Sequence, residues 1–193
     1  MTLSKFSKPL DDHVSWDKYE QQNDLIEGLT ADERQLAKNG MRYLRDLLSE
    51  DFLSRAAKQG NAIFGWFFSN CAPHAQRSLI RLAEELKTFE NAPNFRGLVA
   101  RLKDRERGPE ALTVLGAASS FSRAGFFVSF DPEVKGTGKF PDLRLVDPEN
   151  GEDIYVEISR LRRGGHQELG SRTYHVIFDE VLNAIWSVRA RSM

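Results

Sequence analysis

Apolar positions recur with a helical period through most of the first 107 residues. Thr30 and Glu33 have the spacing of a capping box, in which each side chain accepts a hydrogen bond from the other residue's backbone N–H. Pro73 suits the first turn of a second helix, which runs to about residue 90, and Pro93 opens a third. The pattern therefore predicts a helical region over residues 29–107.

Two segments depart from this regular pattern. Residues 1–28 are polar, and we expect a loose N-terminal arm with a short helix at most. Residues 62–68 are apolar and aromatic, which indicates burial against neighbouring helices, and the alternative is an exposed surface for a partner or for a homo-oligomer. The expected anchors of the arm are Trp16, Tyr19, Leu25 and Ile26, and those of the aromatic segment are Ile63, Phe64, Trp66, Phe67 and Phe68.

The pattern changes at residue 108, where a helix is followed by alternating apolar and polar positions. The helix opens at Pro109 and stops before Gly125, and a period of two then indicates strands. A turn rich in polar residues, proline and glycine joins the last two strands as an antiparallel hairpin. The predicted order is α-β-β-β-α, a mixed α/β (α+β) domain over 108–193, with the helix at 109–124, strands at 126–130, 140–146 and 153–159, and a last amphipathic helix at 174–188.

Composition and charge narrow the functional classes. The chain has one cysteine and a net charge of −1. No stretch has the layout of a signal peptide or the length of a membrane span, so we expect a cytoplasmic protein without a membrane partner. Without an overall basic field, any contact with nucleic acid would depend on local clusters. These clusters are Arg101, Lys103, Arg105 and Arg107, and Arg160, Arg162 and Arg163.

Candidate chemistry lies on the predicted hairpin. Asp142 follows Pro141 at the start of one strand, and Glu157 lies on the next strand. Neighbouring strands are about 5 Å apart, so two carboxylates at adjacent positions can share one divalent cation. The hairpin therefore predicts a metal site of the kind that acts on phosphate groups.

The Pro-Asp pair, the glutamate on the following strand and the order of elements resemble the PD-(D/E)-x-K superfamily of nucleases over about residues 109–190. The resemblance implies a restriction-endonuclease-like α-β-β-β-α core that hydrolyses phosphodiester bonds of nucleic acid, with DNA as the expected substrate. It further implies Mg²⁺ or Mn²⁺ held by Asp142, Glu157 and the Ile158 carbonyl, with Glu110 as an additional acidic residue.

One position departs from the family motif. The family has lysine two residues after the acidic residue, whereas this chain has Ser159, which carries no positive charge to orient water or stabilise charge on the phosphate. Lys139 or Arg162 could supply the charge from another element. The alternative is a nuclease-like fold without catalysis that serves as a nucleic-acid or protein interaction module.

Overall fold

The computed structural model describes residues 14–61, 63–68, 72–134 and 136–159. All of these except Ser159 belong to one compact unit, Met1–Ile158. They form a mixed α/β fold of seven α-helices and a three-stranded antiparallel sheet, which confirms the coarse fold class. None of the described helices is both long and apolar enough to cross a membrane. The predicted last helix and the arginine cluster at 160–163 lie outside the described residues.

The elements follow the chain in one order, helices first and strands last. The helices are α1 (Trp16–Gln22), α2 (Ala31–Leu48), α3 (Phe52–Gln59), α4 (Phe64–Phe68), α5 (Pro73–Thr88), α6 (Phe95–Lys103) and α7 (Gly108–Arg123). A short 3₁₀ turn, Asn23–Leu25, follows α1. The strands are β1 (Phe127–Phe130), β2 (Leu143–Val146) and β3 (Asp153–Val156). The last two strands are shorter than the sequence predicts.

Helix α2 begins at the predicted capping box and packs mainly against α5. The Thr30 hydroxyl accepts a hydrogen bond from the Glu33 N–H at 3.2 Å, and the Thr30 N–H donates to the Glu33 carboxylate at 2.9 Å. A Cβ added at Gly40 would lie 3.2 Å from the Cβ of Ala83, so the missing side chain lets the two helices approach closely. The buried residues of α2 are Ala37, Met41, Leu44 and Leu48.

The short helix expected in the N-terminal arm is α1, and it packs against α2. Trp16 is buried, whereas the expected anchor Leu25 is 80% exposed because it ends the 3₁₀ turn that leads away from α1. In the aromatic segment, Phe67 is fully buried, and its ring lies 5.1 Å from that of Trp16 and 5.7 Å from that of Tyr19. Burial of the aromatic segment is therefore confirmed at Phe67, and α4 joins the arm to the helical core.

The sheet is an antiparallel meander in the order β1-β2-β3. Leu143 lies opposite Phe130 on one side and Val156 on the other. The alternate residues Val128, Phe130, Leu143 and Leu145 are buried, and both β1 and β2 pack on α7. The first strand follows α7 through Gly125, whose φ of +95° suits glycine.

The contact between α2 and α5 includes a pH-sensitive ion pair. Arg77 and the backbone of Thr30 bind the Glu33 carboxylate and lower its pKa from 4.5 to about 2. A carboxylate whose pKa is lower in the folded state contributes stability above its unfolded pKa and loses that contribution as the pH falls. We expect Glu33→Gln to lower the melting temperature near neutral pH and to have a diminishing effect from about pH 4.5 to pH 2. Thermal melts of the wild type and of Glu33→Gln across this pH range test the prediction. A difference in melting temperature that does not change with pH would contradict it.

Candidate acidic site at the end of the sheet

The candidate site lies at one end of the sheet, where an acidic residue stands one position beyond the end of each strand. Leu143 pairs with Phe130 and with Val156, and Asp131, Asp142 and Glu157 are the residues that come one step beyond these pairs. The N–H of Asp131 donates to the carbonyl of Asp142 at 3.0 Å, which continues the ladder past β1. The meander therefore gathers one carboxylate residue from each strand end.

Asp142 is buried, and both of its carboxylate oxygens have partners. Its side chain is 10% exposed. Oδ2 accepts a hydrogen bond of 2.7 Å from the Ile158 N–H, just beyond β3, and Oδ1 lies 3.4 Å from Nη1 of Arg101. The hairpin thus brings the predicted aspartate directly beside the backbone that follows Glu157.

Arg101 connects this carboxylate to two others. Its guanidinium is 6% exposed and lies 3.0 Å from Asp131, 3.4 Å from Asp142 and 3.9 Å from Glu110. The end of α6 that carries Arg101 is held by the buried amide of Asn61, which donates to the carbonyl of Leu102 at 3.1 Å. Three carboxylates surround one guanidinium, so the cluster has a formal charge of −2 when all four groups are ionised.

Asp131 is held in a backbone conformation that few residues adopt. Its φ of +41° is in the left-handed region, which aspartate tolerates better than most side chains. The amide of Asn94 donates to the carbonyl of Asp131 at 3.2 Å. Burial raises the pKa of Asp131, Arg101 opposes this effect, and the nearby carboxylates of Asp142 and Glu110 add to it. The raised pKa reflects a carboxylate that is removed from water and crowded by other negative charges.

The guanidinium of Arg101 is incompletely hydrogen-bonded. Nε and Nη2 are buried and make no well-directed hydrogen bond within the part of the chain that the structure describes. Nη2 lies within ion-pair distance of Asp131, but the carboxylate oxygen is poorly aligned with its N–H groups. This arrangement leaves part of the hydrogen-bonding capacity of the guanidinium unused. A buried donor without an acceptor costs about 1–3 kcal/mol.

The other predicted site residues lie in the chain just after β3 or shortly before β2. Glu157 is exposed and has no ion pair with another described residue, and Ser159 is exposed two residues later. Ile158 contacts the site through its N–H, whereas the sequence predicted a role for its carbonyl. Lys139 is exposed, and its backbone pairs with Val134 in an isolated bridge before β2. The structure therefore brings Glu110 and Asp142 together on Arg101.

The donor atoms at this end of the sheet suit a hard divalent cation, although they are not arranged as a complete cage. Within the described ranges, no three His, Cys, Asp or Glu side chains are positioned to hold a metal ion. Mg²⁺ typically requires only one or two carboxylates, and waters and substrate phosphate complete its coordination. Asp142 and Glu157 would supply those carboxylates, and their oxygen donors match the chemistry of the metal that the resemblance implies.

Sequence reasoning missed Arg101 and Asp131 as members of the site. The sequence pattern assigns Arg101 to a local basic cluster, whereas its side chain is buried among carboxylates. The available signal was its spacing, since a helix places Arg101 on the same face as the buried Leu98 and Leu102. Asp131 could have been found from its place directly after the buried Phe130, at the end of the first predicted strand.

Comparison with known proteins gives no relative that would assign the site. No protein-family model matches the chain, and no curated protein or solved structure shows a significant match.

Proposed function

We propose that the protein is a divalent-metal-dependent nuclease of the PD-(D/E)-x-K type, with the restriction-endonuclease-like core that this type implies. The observation that carries the proposal is the position of Asp142 in the meander that follows α7. The buried aspartate of the Pro-Asp pair lies beside the end of β3, next to Glu157 in register, and it shares Arg101 with Glu110 at the start of α7. The order α7-β1-β2-β3 and the acidic residues at the strand ends support that type of site.

In this proposal, Asp142 and Glu157 hold Mg²⁺ or Mn²⁺, and Glu110 is the additional acidic residue. The bound cation supplies a water of lowered pKa and neutralises negative charge that develops on the phosphate. The hydrogen bond from Ile158 orients the Asp142 carboxylate toward β3. Arg101, on α6, provides the positive charge that Ser159 lacks, as an alternative to Lys139 or Arg162.

The test is a cleavage assay on linear, nicked and single-stranded DNA and on RNA, with Mg²⁺ or Mn²⁺ and with a chelator. We expect metal-dependent cleavage of DNA that is lost in Asp142→Ala, because the carboxylate that holds the cation is removed. Asp153→Asn is the matched control, since Asp153 pairs with Arg144 at the opposite end of the same hairpin. Cleavage of no substrate, or equal cleavage by Asp142→Ala, would overturn the proposal.

The second candidate is a nuclease-like fold that binds nucleic acid or protein without cleaving it. It is favoured by the combination of Ser159 at the motif lysine position and an ion pair between Arg101 and Asp142. Its expected signature is nucleic-acid binding that survives chelation of divalent cations and substitution of Asp142 or Glu157. A gel-shift titration of these proteins on the same DNA distinguishes the two candidates.

A further inference from the structure

Arg101 occupies the centre of the acidic cluster, among the oxygens that a cation would otherwise approach. Its guanidinium lies within 4 Å of carboxylate oxygens of Glu110, Asp131 and Asp142. We infer that Arg101 is an exchangeable internal counter-ion. It binds the carboxylates when no divalent cation is present, and it transfers to a phosphate group of nucleic acid when the cation binds. This inference rests on the proposed function, because it assigns both ligands to the Asp142 site.

Charge balance supports the exchange. One guanidinium among three carboxylates leaves a formal charge of −2. A divalent cation in place of the guanidinium would leave a charge of −1, so it neutralises the three carboxylates more completely than Arg101 does. Like charges at ion-pair distance in a partly buried site repel strongly, so the cluster favours an additional cation. Because Arg101 already lies between Asp131 and Asp142, it competes for the oxygen atoms that such a cation needs.

The unused donors of Arg101 support a phosphate as its second partner. Nε and Nη2 form one edge of the planar guanidinium, and both lack a well-directed hydrogen bond among the described residues. Two parallel N–H groups fit two oxygens of a phosphate, and this geometry makes arginine a frequent phosphate ligand. Within the described part of the chain, the contact with the carboxylates leaves Nε without an acceptor and Nη2 in a poorly directed ion pair, and a phosphate would satisfy both donors.

The exposure of the cluster shows how the exchange could proceed. The side chains of Glu110 and Asp131 are 49% and 32% exposed, whereas that of Arg101 is 6% exposed. Glu110 and Asp131 are therefore the solvent-facing carboxylates, and the guanidinium lies beneath them with Asp142, whose side chain is 10% exposed. A cation from solvent would meet Glu110 and Asp131 before it reaches Asp142, and its binding would weaken the hold of the carboxylates on Arg101.

Exchange of this kind couples the two ligands. If the cation frees Arg101 for phosphate, then phosphate binding must favour the cation by the same factor, because the coupling free energy is reciprocal. The predicted coupling is positive and depends on the guanidinium. A residue that serves only to pack α6 against the sheet would produce no such coupling.

The experiment measures Ca²⁺ binding by titration calorimetry in the absence of nucleic acid, for the wild-type protein, Arg101→Met and Arg101→Lys. We expect Arg101→Met to bind Ca²⁺ about tenfold more tightly or better, because the competing charge is removed. Arg101→Lys should lie between the two, since an ammonium group is a point charge that cannot span Asp131 and Asp142 together. Arg96→Met, an exposed substitution on the same helix, should match the wild type.

A second measurement tests the coupling. We expect Ca²⁺ to tighten binding of a short DNA duplex by about fivefold or more in the wild type, within the usual range of coupling between sites, and to have little effect in Arg101→Met. Unchanged or weaker Ca²⁺ binding in a folded Arg101→Met protein would overturn the inference. If that variant does not fold, unchanged or weaker Ca²⁺ binding by Arg101→Lys would overturn the inference instead.

The outcome is separable from that of the cleavage assay. Ca²⁺ binding that depends on Arg101 in a protein that cleaves nothing would overturn the proposed nuclease activity and support the counter-ion. Cleavage that depends on Asp142, with Ca²⁺ binding unaffected by Arg101→Met and Arg101→Lys, would support the proposed nuclease activity and overturn the role of Arg101 as a counter-ion.

Discussion

Replacing Asp142 with alanine is expected to lower the free energy of unfolding by about 3–5 kcal/mol, the usual cost of removing one partner of a buried ion pair. The substitution removes the acceptor of the Ile158 N–H and one of the carboxylates that balance Arg101. Asp131 and Glu110 still attract the guanidinium, so the expected cost is nearer the lower end of this range. Urea denaturation followed by circular dichroism measures the change.

The control for this prediction is Asp153→Ala on the same hairpin. Asp153 and Arg144 form an ion pair of 2.8 Å with side chains that are 36% and 39% exposed. Exposed pairs of this kind contribute about 0–1 kcal/mol, so the control should stay close to the wild type. If Asp142→Ala and Asp153→Ala cost the same, Asp142 is not the buried partner that the structure describes.

Phe67→Ala is expected to cost about 3–5 kcal/mol of unfolding free energy, as is typical when a buried aromatic side chain is truncated. Phe67 is fully buried between α1 and the helical core, with the rings of Trp16 and Tyr19 as neighbours. The cavity would remove contacts that hold α1 in place. We therefore also expect loss of the fluorescence signature of a buried Trp16, which the same denaturation experiment can record.

Phe127→Ala is the matched control for this substitution. Phe127 is 67% exposed on β1, so its truncation should change stability by less than about 1 kcal/mol. The comparison also tests the alternative in which residues 62–68 form a partner surface. A Phe67→Ala protein of unchanged stability that has lost self-association would contradict burial and favour that surface.

Much of the fold follows from local pattern. The capping box at Thr30 and Glu33 predicts the start of α2 correctly, because both hydrogen bonds are local to that turn. Pro109 and Gly125 similarly delimit α7 to within one residue or two. The start of β2 is predicted less well, because the chain bends at Asp142 before β2 begins.

The site was predictable only in part, for a physical reason. Asp142 and Glu157 each lie one residue beyond the Leu143–Val156 pair of one hairpin, so strand pairing alone brings both to the same end of the sheet. Arg101 comes from a helix 41 residues earlier, and its pairing with Asp142 depends on how α6 packs against the sheet. Arginine is usually exposed in proteins. The residues next to Arg101 in the sequence do not indicate that carboxylates from other elements surround its side chain.

The most direct test of the metal site is a crystal structure of the protein soaked with Mn²⁺ and recorded at an energy where manganese scatters anomalously. We predict an anomalous peak at the end of the sheet with carboxylate oxygens of Asp142 and Glu157 at about 2.0–2.2 Å, typical of small divalent cations with oxygen ligands. The guanidinium of Arg101 should have moved away from Asp142. No anomalous peak at Asp142, with Arg101 still paired to it, would contradict the metal site and the nuclease activity proposed from it.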